Sequence, residues 1–231
     1  MVASEIAARI LARTDDPSAI TADMPEVMSA INEGQELAAL LSLCLETTTP
    51  LTLAAGAPFG TLISRLPDYI CPLRLSVSGA RLRPGTLAEF DGDNDAWQAT
   101  PGVPARYSTL GWNLYAVTPQ PVSTTIAELI YARSPRVMVE ADTPEIPEQY
   151  HQSLVYYGKY RVRLKEGAQG LARGVSDFNV FLDAMTQLGD WVRARSRAAR
   201  YDTLPIELAL FDRSRLLLKE PKPKPGKKAA A

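Results

Sequence analysis

Apolar side chains recur at helical spacing near the start of the chain. Over residues 2–13, Val2, Ile6 and Ile10 share one face, and Asp15-Asp16-Pro17 ends the run. A second helix is predicted from Pro25, a residue suited to a first helical turn, with Asp23 as its cap. Val27, Ile31, Gly34, Ala38, Leu41 and Leu45 follow at intervals of three and four, with Asn32, Glu33 and Glu36 largely on the other side. This helix is expected to end near Thr47-Thr48-Thr49-Pro50, where β-branched residues and a proline disfavour it.

From residue 50 to 132 the period changes to two. Leu73, Leu75 and Val77 alternate with Arg74, Ser76 and Ser78; after Gly79 the phase flips, with Ala80 and Leu82 apolar and Arg81 and Arg83 polar. Strand side chains alternate faces strictly, so the flip predicts a turn or bulge at Ser78-Gly79. Further strands are predicted at 112–117 and 124–132, with Thr118-Pro119-Gln120-Pro121 as a loop between them.

Helices return after Pro147. Leu154, Val155, Gly158 and Val162 form a stripe between turns carrying Lys159, Arg161, Arg163 and Lys165. Gly167, Gly170 and Gly174 mark a connection, after which Ser176 is the expected cap of the clearest helix of the chain. Phe178, Phe181, Leu182, Met185, Leu188 and Val192 lie on one face of it. Asp177 near the predicted start and Arg193, Arg195, Arg197 and Arg200 near the end suit the helix dipole. Burial of five or six such side chains, at roughly 1.5–3 kcal/mol each before entropy, makes this a core element. Leu204–Leu218 fits a short helix or an extended arm, and the alternating Lys and Pro after it predict an extended or disordered tail.

The pattern as a whole predicts an α+β fold: a helical bundle with an inserted small antiparallel β-rich region and an extended C-terminal arm. The corresponding organisation is one domain over 1–203, with helices in 1–47 and 147–202 and the β-rich insertion over 50–132, followed by the arm and tail over 204–231. No apolar run approaches the roughly 20 residues of a membrane span, and the N-terminus lacks the apolar centre of a secretory signal. The formal net charge of −1 is uneven: residues 219–231 carry five lysines against Glu220, so the remainder carries −5. An acidic body with a basic tail argues for a tethered partner contact rather than a DNA-coating surface.

Candidate chemistry is sparse. Cys44 and Cys71 are the only cysteines, too few for a Cys-rich zinc site or a disulfide framework. Cys44, on the apolar side of the predicted second helix, is expected to be a buried free thiol, which fits assembly in a reducing compartment. Asp91-Gly92-Asp93-Asn94-Asp95 opens like a calcium loop, but Ala96 and Gly102 stand where glycine and a bidentate Glu are needed, so a solvated β-turn before Trp97 is the better reading. The glycines at 167, 170 and 174 have neither dinucleotide nor P-loop spacing. His151 is the single histidine and no nucleophile motif accompanies it; a surface or interface position is expected. No catalytic, cofactor or metal site is predicted. Arg193, Arg197 and Arg200 share a helix side, which suits a solvated face, an inter-subunit salt-bridge surface or, least well, a phosphate contact.

PEVMSAINEGQELAALLS, LSVSGARLRPGTLAEFDGDNDAW, LYAVTPQP and IPEQYHQSLVYYGKYRVRL, in that order, resemble segments of the head–tail adaptor (connector) proteins of tailed bacteriophages. PEVMSAINEGQELAALLS is similar to their first long helix. Leu82, Pro84, Thr86, Glu89 and Trp97 carry an "L-x-P-x-T-x-x-E-L…D-x-x-W" pattern, with Phe90 in place of the Leu. LYAVTPQP is similar to an "L-x-L-x-P-x-P" strand end. Ile146, Pro147, Tyr150, His151, Leu154 and Tyr157 carry "I-P-x-x-Y-H-x-x-L-x-x-Y-A", with Gly158 replacing the Ala, a change expected to loosen that helix by roughly 1 kcal/mol. The resemblance spans roughly residues 1–200, and the Lys-Pro tail matches no family pattern.

The resemblance implies a non-enzymatic structural protein of the virion neck, assembled in the host cytoplasm. It implies a ring, typically of twelve copies, between the portal protein and a tail or nozzle protein, with genomic DNA passing through without sequence-specific binding and with no membrane partner. It places the C-terminal arm at the portal. The arm's apolar anchors Leu208, Phe211, Leu216, Leu217 and Leu218, with Lys219, become the expected portal-binding residues, and Arg193, Arg197 and Arg200 the expected inter-subunit residues. The competing reading is a DNA-binding accessory or packaging factor using the arginine-rich helix and basic tail.

Overall fold

A computed structural model describes residues 1–14, 22–62, 66–110, 113–199 and 217–218, apart from the side chains of 168–169 and 196–199. Its described residues form a mixed α+β fold with five α-helices and mostly antiparallel sheets. The chain divides into two compact units. One holds Met1–Leu37 and Val137–Gln187, with Leu217 and Leu218; the other holds Ala38–Arg136 and the helical residues from Leu188.

The first unit is helical. Helix α1 (Ala3–Arg13) buries Ile6 and Ile10 of the predicted stripe together with Ala3, Ala7 and Leu11, while Val2 precedes the helix and is half-buried. Thr14 stops it by donating its hydroxyl back to the Ile10 carbonyl at 3.0 Å. Helix α2 (Met24–Ser42) is capped by Asp23 as its sequence predicts: the Glu26 amide donates to Asp23 Oδ1 at 2.9 Å, and a Glu26 carboxylate oxygen accepts in return from the Asp23 amide. In place of the expected end near residue 47, it stops at Ser42, whose hydroxyl donates to the Ala38 carbonyl, and Leu43 takes a left-handed φ of 54°. Cys44 therefore lies beyond the helix and is half-buried rather than sealed on its apolar side.

A 3-10 turn at Glu148–Tyr150 leads into α4 (His151–Arg163), and α5 spans Gly167–Ala199. The expected cap at Ser176 is not the start of α5. The helix begins nine residues earlier, at Gly167 (φ 74°), and runs through Gly170 and Gly174. Packing selects glycine here, since a Cβ on Gly170 would lie 2.1 Å from the Arg163 carbonyl oxygen. The predicted face of α5 holds: Phe181, Leu182, Met185, Leu188 and Val192 are buried, while Phe178 is half-buried.

The second unit is β-rich. Its first sheet is ordered β1 (Glu46–Leu53), β10 (Thr125–Arg133), β3 (Tyr69–Val77) and β4 (Ala80–Arg81). The second is ordered β2 (Phe59–Thr61), β8 (Leu114–Thr118), β7 (Arg106–Leu110) and β5 (Arg83–Pro84), and a short pair joins β6 (Pro101–Gly102) to β9 (Gln120–Pro121). Strands thus begin at Glu46, inside the segment expected to be helical; Pro50 is tolerated because β1 is an edge strand. The phase flip after Val77 is a two-residue hairpin, with Val77 opposite Ala80 and with Ser78 and Gly79 at φ 49° and 79°.

Leu51, Leu53, Leu75, Val77, Ala127 and Leu129 of the first sheet pack with Tyr107, Tyr115 and Val117 of the second. Leu73 does not share that cluster with Leu75 and Val77. A register shift opposite Ile130 and Tyr131 turns it toward Leu43 and Ala132. The aspartate-rich run is divided: Asp91 to Asp93 close helix α3 (Leu87–Asp93), which Thr86 and Glu89 cap reciprocally, and the expected turn before Trp97 follows, with the Trp97 amide donating to the Asn94 carbonyl at 2.9 Å. Its carboxylates hold the local structure together: Asp91 accepts from the buried Trp97 indole at 2.8 Å, and Asp93 pairs with Arg106.

Candidate functional site

The positions that sequence places on the surface of α4 and at the start of α5 form a buried ionic cluster. Lys159 donates to Asp177 at 2.6 Å, and Arg163 pairs with the other carboxylate oxygen. The three side chains are 11, 17 and 8% exposed for Lys159, Arg163 and Asp177. Asp177 sits ten residues into α5 and therefore serves these two cations rather than the helix dipole. Beside the cluster, the rings of Tyr157, Tyr160, Phe178 and Phe181 pack at centroid distances from 4.8 Å to 6.3 Å.

His151 is 2% exposed, not a surface residue. Its Nε2–H donates to the Ile146 carbonyl at 2.9 Å, which leaves Nδ1 to accept from the Met1 ammonium group at 3.3 Å. Both nitrogens are thus used to fasten the start of α4 to the segment before it and to the N-terminus. The burial is legible only in three dimensions, because an isolated histidine at a helix start is ordinarily solvated.

The acidic linker ahead of α4 is held by side-chain amides of α2. Asn32 accepts from the Met138 amide at 2.7 Å and donates to the Met138 carbonyl at 3.1 Å; Gln35 accepts from the Glu145 amide at 2.7 Å. This bidentate grip imitates a strand ladder and buries Met138 while leaving Val137 83% and Val139 64% exposed. Two exposed valines beside exposed Glu140 and Asp142 make an apolar strip with an acidic border. Its only local sign is the Val-Met-Val run after Arg136, which is too short to stand out as a strand or helix pattern.

The predicted interaction residues are only partly within the described structure. Arg193 is 37% exposed and pairs with Asp190 of its own helix. The Arg197 side chain, Arg200, Leu208, Phe211, Leu216 and Lys219 lie outside the described residues. Leu217 and Leu218 are half-buried, and the Leu218 carbonyl accepts from Asn179 Nδ2 of α5 at 3.3 Å. Arg195, which stacks on Trp191 at 5.5 Å, lines a cavity of about 440 Å³ with Cys44, Glu46, Thr48, Ile130 and Arg133. Burial raises the Cys71 thiol to about 12 and pushes Cys44 up as well, so neither is poised as a nucleophile. Among the described residues there is no group of three metal-ligating side chains, and no helix is long and apolar enough to cross a membrane.

A family model described as SU10 adaptor protein matches residues 1–204. No curated protein matches the chain.

Proposed function

The chain belongs to the SU10 adaptor protein family, a family of structural phage head–tail adaptors, and on that premise we propose that it assembles as a ring that joins the portal to the tail in the virion neck and surrounds the passing DNA. The match over residues 1–204 carries this reading. A closed heterologous ring needs two different, complementary faces on each copy. The acid-bordered valine strip is suited to be one of them, and the arginine-bearing end of α5 the other. An acidic body favours a channel along which DNA slides, because fixed negative charge does not hold phosphate.

The C-terminal arm, from Leu204 onward, is the proposed portal contact. Leu208, Phe211 and Leu216 to Leu218 supply apolar area, and Lys219 and the lysines after it meet acidic groups. The competing DNA-binding role is weakened by the pairing of Arg193 with Asp190, which already neutralises one of the cations it would use. Native mass spectrometry of the full chain, alone and with a portal protein, tests the assembly. A closed species near twelve times 25.2 kDa is expected in at least one of the two samples. A monomer under both conditions, with salt-sensitive retention on DNA, would overturn the ring in favour of the accessory factor.

A further inference from the structure

Asn179 is an odd residue for the middle of a 33-residue helix, because asparagine is a poor interior helix former. Its amide works sideways: Nδ2 donates to the Leu218 carbonyl at 3.3 Å, and Oδ1 is buried without a hydrogen-bond partner among the described residues. A buried amide oxygen in that state is a vacant acceptor for an N–H. The same chain shows what a filled one looks like, since Asn32 takes both the N–H and the carbonyl of Met138 and so fixes an extended segment by its backbone. The surrounding face of α5 also lacks the charges of a solvated helix. Between Arg173 and Asp183 its exposed positions are Ser176 and Val180, the latter 40% exposed.

We infer that Asn179 is a backbone clamp for the leucine-rich segment of the same chain's C-terminal arm, and that this clamp holds the arm against α5 until a partner takes it. The inference rests on the reading of the arm as the portal contact. One of the two clamp bonds is made, by Nδ2 donating to Leu218, and the single amide acceptor, Oδ1, is unpaired among the described residues, so the hold is specific yet releasable. Leu217 and Leu218, both half-buried, supply the apolar part of the contact. The arm thereby has two alternative homes, and Leu217 and Leu218 are partly shielded in the subunit, where exposed leucines would promote wrong association.

Limited trypsin digestion of the full chain reads the clamp, because Arg215 and Lys219 flank Leu217-Leu218 in the sequence and cleavage after either is expected to need that pair released. Asn179→Ala is expected to speed those two cuts about tenfold, since proteolysis follows the population of the open form. A Leu217→Ser/Leu218→Ser variant, altered outside the helical core, is expected to do the same and decides the matter should Asn179→Ala fold poorly. Equal cleavage rates in wild type and in the folded variants would overturn the clamp. Protection in the wild type that grows with protein concentration would overturn it too, because the arm would then lie on a second copy. Portal binding of a chain lacking 204–231 is a separate measurement, so the clamp and the arm's portal role can fail independently.

Discussion

A Cβ on residue 158 would lie 2.2 Å from Ile10 Cδ1 and 2.9 Å from Ile10 Cγ1, and Ile10 is fully buried between its neighbours. Gly158 is therefore the residue that lets α4 approach α1, not a loosened version of an alanine position. This reverses the expectation drawn from helix propensity alone: steric overlap in a close-packed core outweighs a gain of about 1 kcal/mol in propensity. Gly158→Ala is predicted to destabilise the folded chain by about 1–3 kcal/mol in urea titration. Adding Ile10→Val, which removes the obstructing methyl, should recover part of the loss; an alanine variant as stable as wild type would show that α1 and α4 are not so closely packed. Gly34 makes the same kind of contact with Tyr157, its missing Cβ lying 2.9 Å from the ring.

Among the elements, α5 is the one whose existence periodicity states most clearly and whose start it misplaces. Phe181, Leu182, Met185 and Leu188 are buried because their spacing of one, three and three keeps them on one side of the helix. Phe181→Ala is predicted to cost roughly 3–5 kcal/mol, whereas Phe178→Ala, at a half-buried ring packed on Tyr160, should cost clearly less. Denaturation midpoints of the two variants give the comparison. Equal small losses, under about 1 kcal/mol each, would mean that this face is not a core face. The extra two turns at the start of α5 carry three glycines, which propensity reads as a connection. They are helical all the same, and Gly170 is glycine because the neighbouring backbone leaves no room for a side chain there, a fact that no local pattern encodes.

At the scale of the molecule, charge and apolar residues are distributed as a docking protein needs. The tail carries +4 over residues 219–231 against −5 for the rest, and the leucines of the arm precede the lysines directly. On the proposed reading, ordering the arm on a partner would cost conformational entropy, which burial of its five large apolar side chains would offset. Deletion of residues 204–231 is predicted to abolish portal binding while circular dichroism and the melting transition of the remaining chain stay close to wild type. Unchanged portal affinity of the truncated chain at physiological salt would move the contact to the body and end the arm's assigned role.

The sequence by itself determined the helix faces of α1, α2 and α5, the Asp23 cap, the hairpin at Ser78-Gly79 and the adaptor resemblance matched over residues 1–204. Each of these rests on local spacing or turn chemistry, which a single strand of residues carries in full. Tertiary structure alone decided that His151 is buried, that Lys159 and Arg163 share Asp177, that Leu73 turns away from Leu75, and that Asn32 and Asn179 grip backbone far away in the chain. Those outcomes depend on partners 14 to 150 residues distant, such as Asp177 for Arg163 and Met1 for His151. A charged or amide side chain has the same local signature whether water or a buried group satisfies it, so only the packed fold assigns its partner.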